Sequence, residues 1–143
     1  MLTEVGMVNY TAVLVASVLV FLLGWLWYSP LLFGNVWMKL KGMTKAQINA
    51  GKKKGMKGML VPMIFSVIST FVMLFVLNLM IEYTGALTIM DTVSVAFLVW
   101  IGFIAAPNIN MVIWEKKPFA LYLITTVHHL VAFIVAGIIL VWW

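Results

Sequence analysis

Residues 8–29 read VNYTAVLVASVLVFLLGWLWYS, a stretch of about 22 residues without a charged side chain. An α-helix rises about 1.5 Å per residue, so a helix of this length crosses about 30 Å of hydrocarbon. Three further uncharged stretches of similar length follow, at residues 59–81, 92–114 and 119–141. These stretches predict four transmembrane helices.

The composition supports the same interpretation. Hydrophobic residues make up 65% of the chain and charged residues 9%, which would leave a soluble domain too little polar surface to cover itself. The four stretches are apolar on all sides, whereas a membrane strand would alternate apolar and polar residues. We therefore predict an all-α integral membrane protein, with residues 1–143 forming a single transmembrane domain. The chain has no cysteine, which excludes disulfides and thiol chemistry.

The lysines predict the orientation. All nine fall in two connections, seven between residues 34 and 58 and two in the short connection 115–118. Acidic residues flank the opposite helix ends, at Glu4, Glu82 and Asp91. Connections rich in lysine stay in the cytoplasm, so we expect connection 34–58 to be cytoplasmic and both termini to lie outside. We expect the location to be a prokaryotic cell membrane.

The connection between the first two membrane helices is predicted to have two parts. Pro30 should end the first helix, and the apolar segment after it should lie in the membrane interface. Thr44 and Gln47 have the spacing of a capping box, which predicts a short helix over residues 45–50 that ends at Gly51.

Four lysines then precede the second membrane helix: Lys52, Lys53, Lys54 and Lys57. Such a cluster attracts anionic lipid headgroups at about 1 kcal/mol per charge. The expected partners are therefore the bilayer and its anionic headgroups on the cytoplasmic side, with an anionic substrate or protein partner as the alternative. We read the net charge of +5 as a topology signal, and we expect no nucleic-acid partner.

One block resembles a known family. The sequence WYSPLLFG at residues 27–34, followed by Trp37-Met38, is similar to the membrane proteins grouped as domain of unknown function 1761. Weaker similarities are Met43-Thr44, residues 54–56, Gly102-Phe103 with Ala106, and the histidine before Leu130-Val131. The resemblance implies a four-helix membrane fold without an established activity, so it transfers no catalytic residue. The histidine that fits the family pattern is His129.

A few polar side chains are candidates for function, because polar groups inside a membrane are costly and usually face protein or water. The candidate intramembrane site consists of His128, His129, Asn108, Asn110 and Thr125. Depth along the helices allows the asparagines to meet the histidines. We favour His129, because it shares a helix face with Thr125, whereas His128 is rotated by about 100°.

Three roles for these groups remain open. They could be interhelical hydrogen-bonding groups worth about 0.6 kcal/mol each, a solute or ion site, or a metal site. The metal site is least favoured, because a metal needs three or four converging ligands. No nucleophile motif, phosphate loop or paired carboxylate indicates an enzyme, so we expect no catalytic residue, metal or cofactor.

Two functions follow from these alternatives. The first is a non-enzymatic, oligomeric protein that binds or transports a small solute or ion. The second is a structural or accessory subunit of a larger membrane complex.

Small residues predict helix packing. They form stripes on the first and fourth membrane helices, at Ala12, Ala16, Gly24, Ala132 and Ala136. Such stripes let helix backbones approach closely, either inside one bundle or between copies. We expect a homo-oligomer that associates through them. Trp25 and Trp100 lie deeper than the other tryptophans and should pack against other helices.

Cysteine labelling can test the predicted orientation in this cysteine-free chain. Single cysteines at Thr3 and Thr88 should react with an impermeant reagent in intact cells, because both positions are predicted to lie outside. A cysteine at Asn49 should react only after the cells are opened. Labelling of intact cells at Asn49 alone would mean that the orientation is reversed.

Overall fold

A computed structural model describes residues 8–143, so the charge of Glu4 and the predicted position of the N-terminus lie outside the described residues. The described chain is helical and contains no strand. Its helices are α1 (Tyr10–Trp27), α2 (Gly34–Leu40), α3 (Lys45–Thr84), α4 (Ile89–Ile113) and α5 (Phe119–Trp142). Helices α1, α3, α4 and α5 are long and apolar enough to cross a membrane, which confirms the predicted fold class.

Helix α5 is the centre of the bundle and contacts each of the other four helices. Helices α1 and α5 pack on each other, and the stripe residues Ala12, Ala16, Ala132 and Ala136 are all 0% exposed. These faces are therefore used within one chain. Self-association of two copies through the stripes stays a prediction.

A tight turn joins α1 to α2. The Phe33 N–H donates to the Trp27 carbonyl at 3.0 Å, and the Gly34 N–H donates to the Ser29 carbonyl at 2.9 Å. The Ser29 hydroxyl donates to the Leu26 carbonyl at 2.7 Å. A side chain at Gly34 would bring its Cβ to 2.7 Å from the Ser29 carbonyl oxygen, so this turn requires glycine.

Helix α3 begins at the predicted capping box. The Gln47 N–H donates to the Thr44 hydroxyl at 3.3 Å, and the Thr44 N–H donates to the Gln47 side chain at 2.9 Å. The predicted end at Gly51 is wrong, because a glycine with helical angles costs a helix only about 1 kcal/mol. The interruption is instead at Gly55, whose φ of 54° and ψ of −157° are not helical.

Helix α4 begins three residues before the predicted stretch, because Thr88 and Asp91 form a second capping box. A π-helical turn at Ile101–Ala105 precedes Pro107, which lacks the N–H that would continue the ladder. Side chains bond the nearby carbonyls: the Asn108 amide donates to Ile104 at 2.8 Å, and the Tyr122 hydroxyl donates to Ala105 at 3.1 Å.

Substitution of Gly34 tests the turn. Gly34→Ala should lower the free energy of unfolding by about 1–3 kcal/mol, because the new Cβ meets backbone atoms that cannot move aside independently. Gly51→Ala is the matched control, since nothing lies within 4 Å of its Cβ position, and it should leave stability unchanged or slightly raised. The measurement is unfolding of both variants in one detergent, and equal stability would contradict the role of Gly34.

Candidate functional site

His128 lies on α5 and faces the end of α1. A Cβ built on Gly24 would lie 3.2 Å from His128 Nε2, so the absent side chain at Gly24 makes room for the imidazole. The His128 ring centroid lies 5.7 Å from that of Trp27, 5.2 Å from that of Tyr28 and 5.2 Å from that of His129. We call these four residues, Trp27, Tyr28, His128 and His129, the histidine cluster.

Both ring nitrogens of His128 are buried and have no hydrogen-bond partner in the described structure. A neutral imidazole has one N–H donor and one acceptor nitrogen. Leaving such a group buried without a partner costs about 1–3 kcal/mol, and native structures rarely do so without a reason. His128 therefore has hydrogen-bonding capacity that the protein itself does not use.

His129 is held differently. Its Nδ1 lies 2.8 Å from the Thr125 carbonyl oxygen, one turn earlier on the same helix. A carbonyl can only accept, so Nδ1 carries the hydrogen, and in the neutral ring Nε2 is left as an acceptor. The two neutral histidines together therefore offer two acceptor nitrogens and, at His128, one donor.

Tryptophans from two other helices fix this part of α5. The Trp27 indole donates to the Ile124 carbonyl at 3.1 Å, and the Trp100 indole donates to the Thr126 carbonyl at 2.7 Å. Both bonds cross between helices and lie within one turn of His128 in the sequence. Trp100 thus packs as predicted, whereas Trp25 is 70% exposed, so its predicted packing against another helix is wrong.

The other predicted site residues have local bonds or exposed positions. The Thr125 hydroxyl donates to the Leu121 carbonyl of its own helix at 2.8 Å. Asn108 is exposed and bonds the Ile104 carbonyl, and Asn110 is also exposed. In the part of the chain that the structure describes, no hydrogen bond joins either asparagine to a histidine.

Our sequence interpretation did not include Trp27 and Tyr28 in the site. The sequence did contain a signal for including them: both residues lie just before the first proline, in the block that resembles the family. His128 and His129 are adjacent in the chain but have different neighbours. His128 contacts α1, whereas the His129 ring is hydrogen-bonded within its own helix, α5.

A second polar pair lies in the other half of the bundle. Asn78 Nδ2 on α3 and Thr92 Oγ1 on α4 are buried without a hydrogen-bond partner among the described residues. A Cβ on Gly137 of α5 would lie 2.7 Å from the Thr92 methyl carbon, so α4 and α5 approach closely there. Within residues 8–143, no three histidine, aspartate or glutamate side chains are grouped to hold a metal ion.

The predicted basic cluster is fully accessible. Lys52, Lys53, Lys54 and Lys57 are all exposed, on either side of the interruption at Gly55.

Comparison with known proteins gives one match. A family model described as protein of unknown function (DUF1761) matches residues 11–141, a range that contains the whole histidine cluster. No curated protein and no solved structure matches the chain.

Replacement of Trp27 tests the interhelical bond beside the cluster. Trp27→Phe keeps an aromatic ring but removes the donor to Ile124, so it should lower stability by about 0.6–1.7 kcal/mol. Trp25→Phe on the same helix is the control and should change stability little, because Trp25 is 70% exposed. The measurement is thermal unfolding in detergent, and a larger loss for Trp25→Phe would contradict the assignment.

Proposed function

Because the chain belongs to the DUF1761 family, whose function is unknown, we propose a function from its own geometry: it is a non-enzymatic membrane protein that binds a small solute at the histidine cluster, as one step of transport. The observation that carries this proposal is the burial of both His128 ring nitrogens without a partner. A solute that enters the cluster would supply the hydrogen bonds that these nitrogens lack.

The groups in the cluster indicate the chemistry of the solute. In their neutral forms, His128 and His129 together offer two acceptor nitrogens and one hydrogen-bond donor. The rings of Trp27 and Tyr28 lie beside His128. Aromatic ring faces attract cations, by about 0.5–2 kcal/mol depending on desolvation. None of the four apolar stretches contains a charged side chain of either sign, so the aromatic rings are the feature that favours a cation. These features favour a small cation that donates hydrogen bonds, such as a protonated amine.

His128 is the residue that we expect to contact the solute most directly. Its free nitrogens lie between α1 and α5, whereas His129 already uses Nδ1 within its own helix. Our sequence-based choice of His129 over His128 stays a prediction, and the experiment below separates the two.

The alternative, an accessory subunit of a larger membrane complex, is favoured by a different observation. Helix α3 buries side chains only from Leu74 onward, and its first membrane half is exposed. Large exposed side chains there are Met59, Leu60, Val61, Ile64, Phe65, Val67 and Ile68. A partner protein or a second copy of this chain could cover that surface, so a homo-oligomer remains part of our proposal.

Thermal unfolding tests the solute site. Methylammonium chloride should stabilise the purified protein relative to sodium chloride at equal ionic strength, by about 2.7 kcal/mol when its concentration is a hundred times Kd. His128→Phe keeps an aromatic ring but removes both nitrogens, so it should abolish the stabilisation. Asn110→Ala should keep it, because Asn110 is exposed and has no bond to the cluster.

The remaining outcomes distinguish the alternatives. If His129→Phe abolishes the stabilisation and His128→Phe does not, the sequence-based choice was right. If methylammonium stabilises neither the native protein nor any variant, and both histidine variants only lose stability, the solute proposal fails and the accessory role gains support. Light scattering on the same samples should give a mass above that of one chain.

A further inference from the structure

The break at Gly55 divides α3 into two functional parts. A continuous helix of 40 residues would be about 60 Å long, roughly twice the hydrocarbon thickness. The uncharged stretch 59–81 accounts for the membrane crossing, so residues 45–54 lie outside the hydrocarbon. Because Gly55 has non-helical angles, this first segment does not continue along the axis of the membrane helix. We call residues 45–54 the basic segment.

The charge near the basic segment has one sign. Between residues 34 and 58 there are seven lysines and no acidic residue. Lys52, Lys53 and Lys54 are exposed and immediately precede the break. Lys41 directly follows α2, and its Nζ lies 4.5 Å from the centroid of the Trp37 ring in that helix. A tryptophan with a lysine above it is typical of headgroup depth, where the ring is apolar and the charge meets water.

We infer that the basic segment is a surface helix that binds anionic phospholipid headgroups, and that Gly55 is the hinge that lets it lie against them. The position of the lysines selects lipid over a soluble anion. The lysine run 52–54 closely precedes the uncharged stretch 59–81, so it stands within about two helical turns of the point where the chain enters the bilayer. Anionic headgroups are the negative charges present at that depth. The inference does not depend on the solute site.

The hinge and the charges can be separated by mutation. At Gly55, φ is 54° and ψ is −157°, a backbone conformation that residues other than glycine rarely adopt. Alanine also favours the helical conformation over glycine. Gly55→Ala should therefore straighten α3 and lift the basic segment from the headgroups, although every lysine is kept.

The test uses Asn49→Cys, an exposed position in a cysteine-free chain, labelled with a polarity-sensitive fluorophore. The protein is placed in nanodiscs of phosphatidylcholine alone or with phosphatidylglycerol. Phosphatidylglycerol should shift the emission to the blue and protect the probe from iodide. Replacing Lys52, Lys53 and Lys54 by Gln should lower the ratio of bound to free segment about a hundredfold, and Gly55→Ala should also lower it. Lys116→Gln with Lys117→Gln removes two lysine charges outside the segment; it is the control for a general charge effect and should change the ratio little.

Three results would overturn the inference. The first is equal emission in the two kinds of nanodisc. The second is an equal loss in the Lys116 and Lys117 control, which would indicate a general charge effect. The third is protection by inorganic phosphate or polyphosphate in phosphatidylcholine nanodiscs to the same degree, which would assign the segment to a soluble anion. Loss in the lysine variant but not in Gly55→Ala would keep lipid binding and reject the hinge.

Discussion

Every backbone N–H and carbonyl inside the hydrocarbon needs a partner within the protein, because no water is there to supply one. A regular helix meets this requirement alone, and the irregular places in this chain meet it with side chains. Asn108 and Tyr122 bond the carbonyls next to the π-helical turn of α4, and the Ser29 hydroxyl bonds the last turn of α1. The predicted site residues Asn108 and Thr125 thus bond backbone carbonyls of their own helices, whereas both ring nitrogens of His128 are buried without a partner.

Close packing of α1 on α5 is what brings the cluster together. Alanines at this contact are fully buried, so the two backbones approach closely, and Gly24 then leaves the space that the His128 ring occupies. A larger residue at Gly24 would displace the imidazole from Trp27 and Tyr28. The stripes that suggested contacts between copies therefore shape the interior of one chain.

Element type was predictable from the sequence and the orientation of side chains was not. The lengths of the uncharged stretches correctly predicted four helices long enough to cross a membrane. The spacing of Thr44 and Gln47 correctly predicted a capping box, and both predictions succeed because the signals are local. Which histidine faces α1 depends on helix rotation, and lipid is as apolar as the bundle interior, so the hydrophobic pattern contains little information about faces. Likewise, the surrounding structure determines that Gly55 has a positive φ while Gly51 has helical angles.

Both proposals concern the same end of the bundle, and a row of contacts leads from the histidine cluster to Lys41, shortly before the basic segment in the chain. His128 contacts Tyr28 at 5.2 Å between centroids, Tyr28 contacts Trp37 at 5.5 Å, and Lys41 lies over Trp37. Proximity alone does not couple two sites; coupling requires an element with two arrangements that both ligands bias. Helix α2 contacts α5 and is tied to α1 by the turn at Gly34, which makes it the element to observe. If headgroups and solute each favour one arrangement of α2, headgroup binding changes the affinity for solute, and by linkage the solute changes headgroup binding by the same factor.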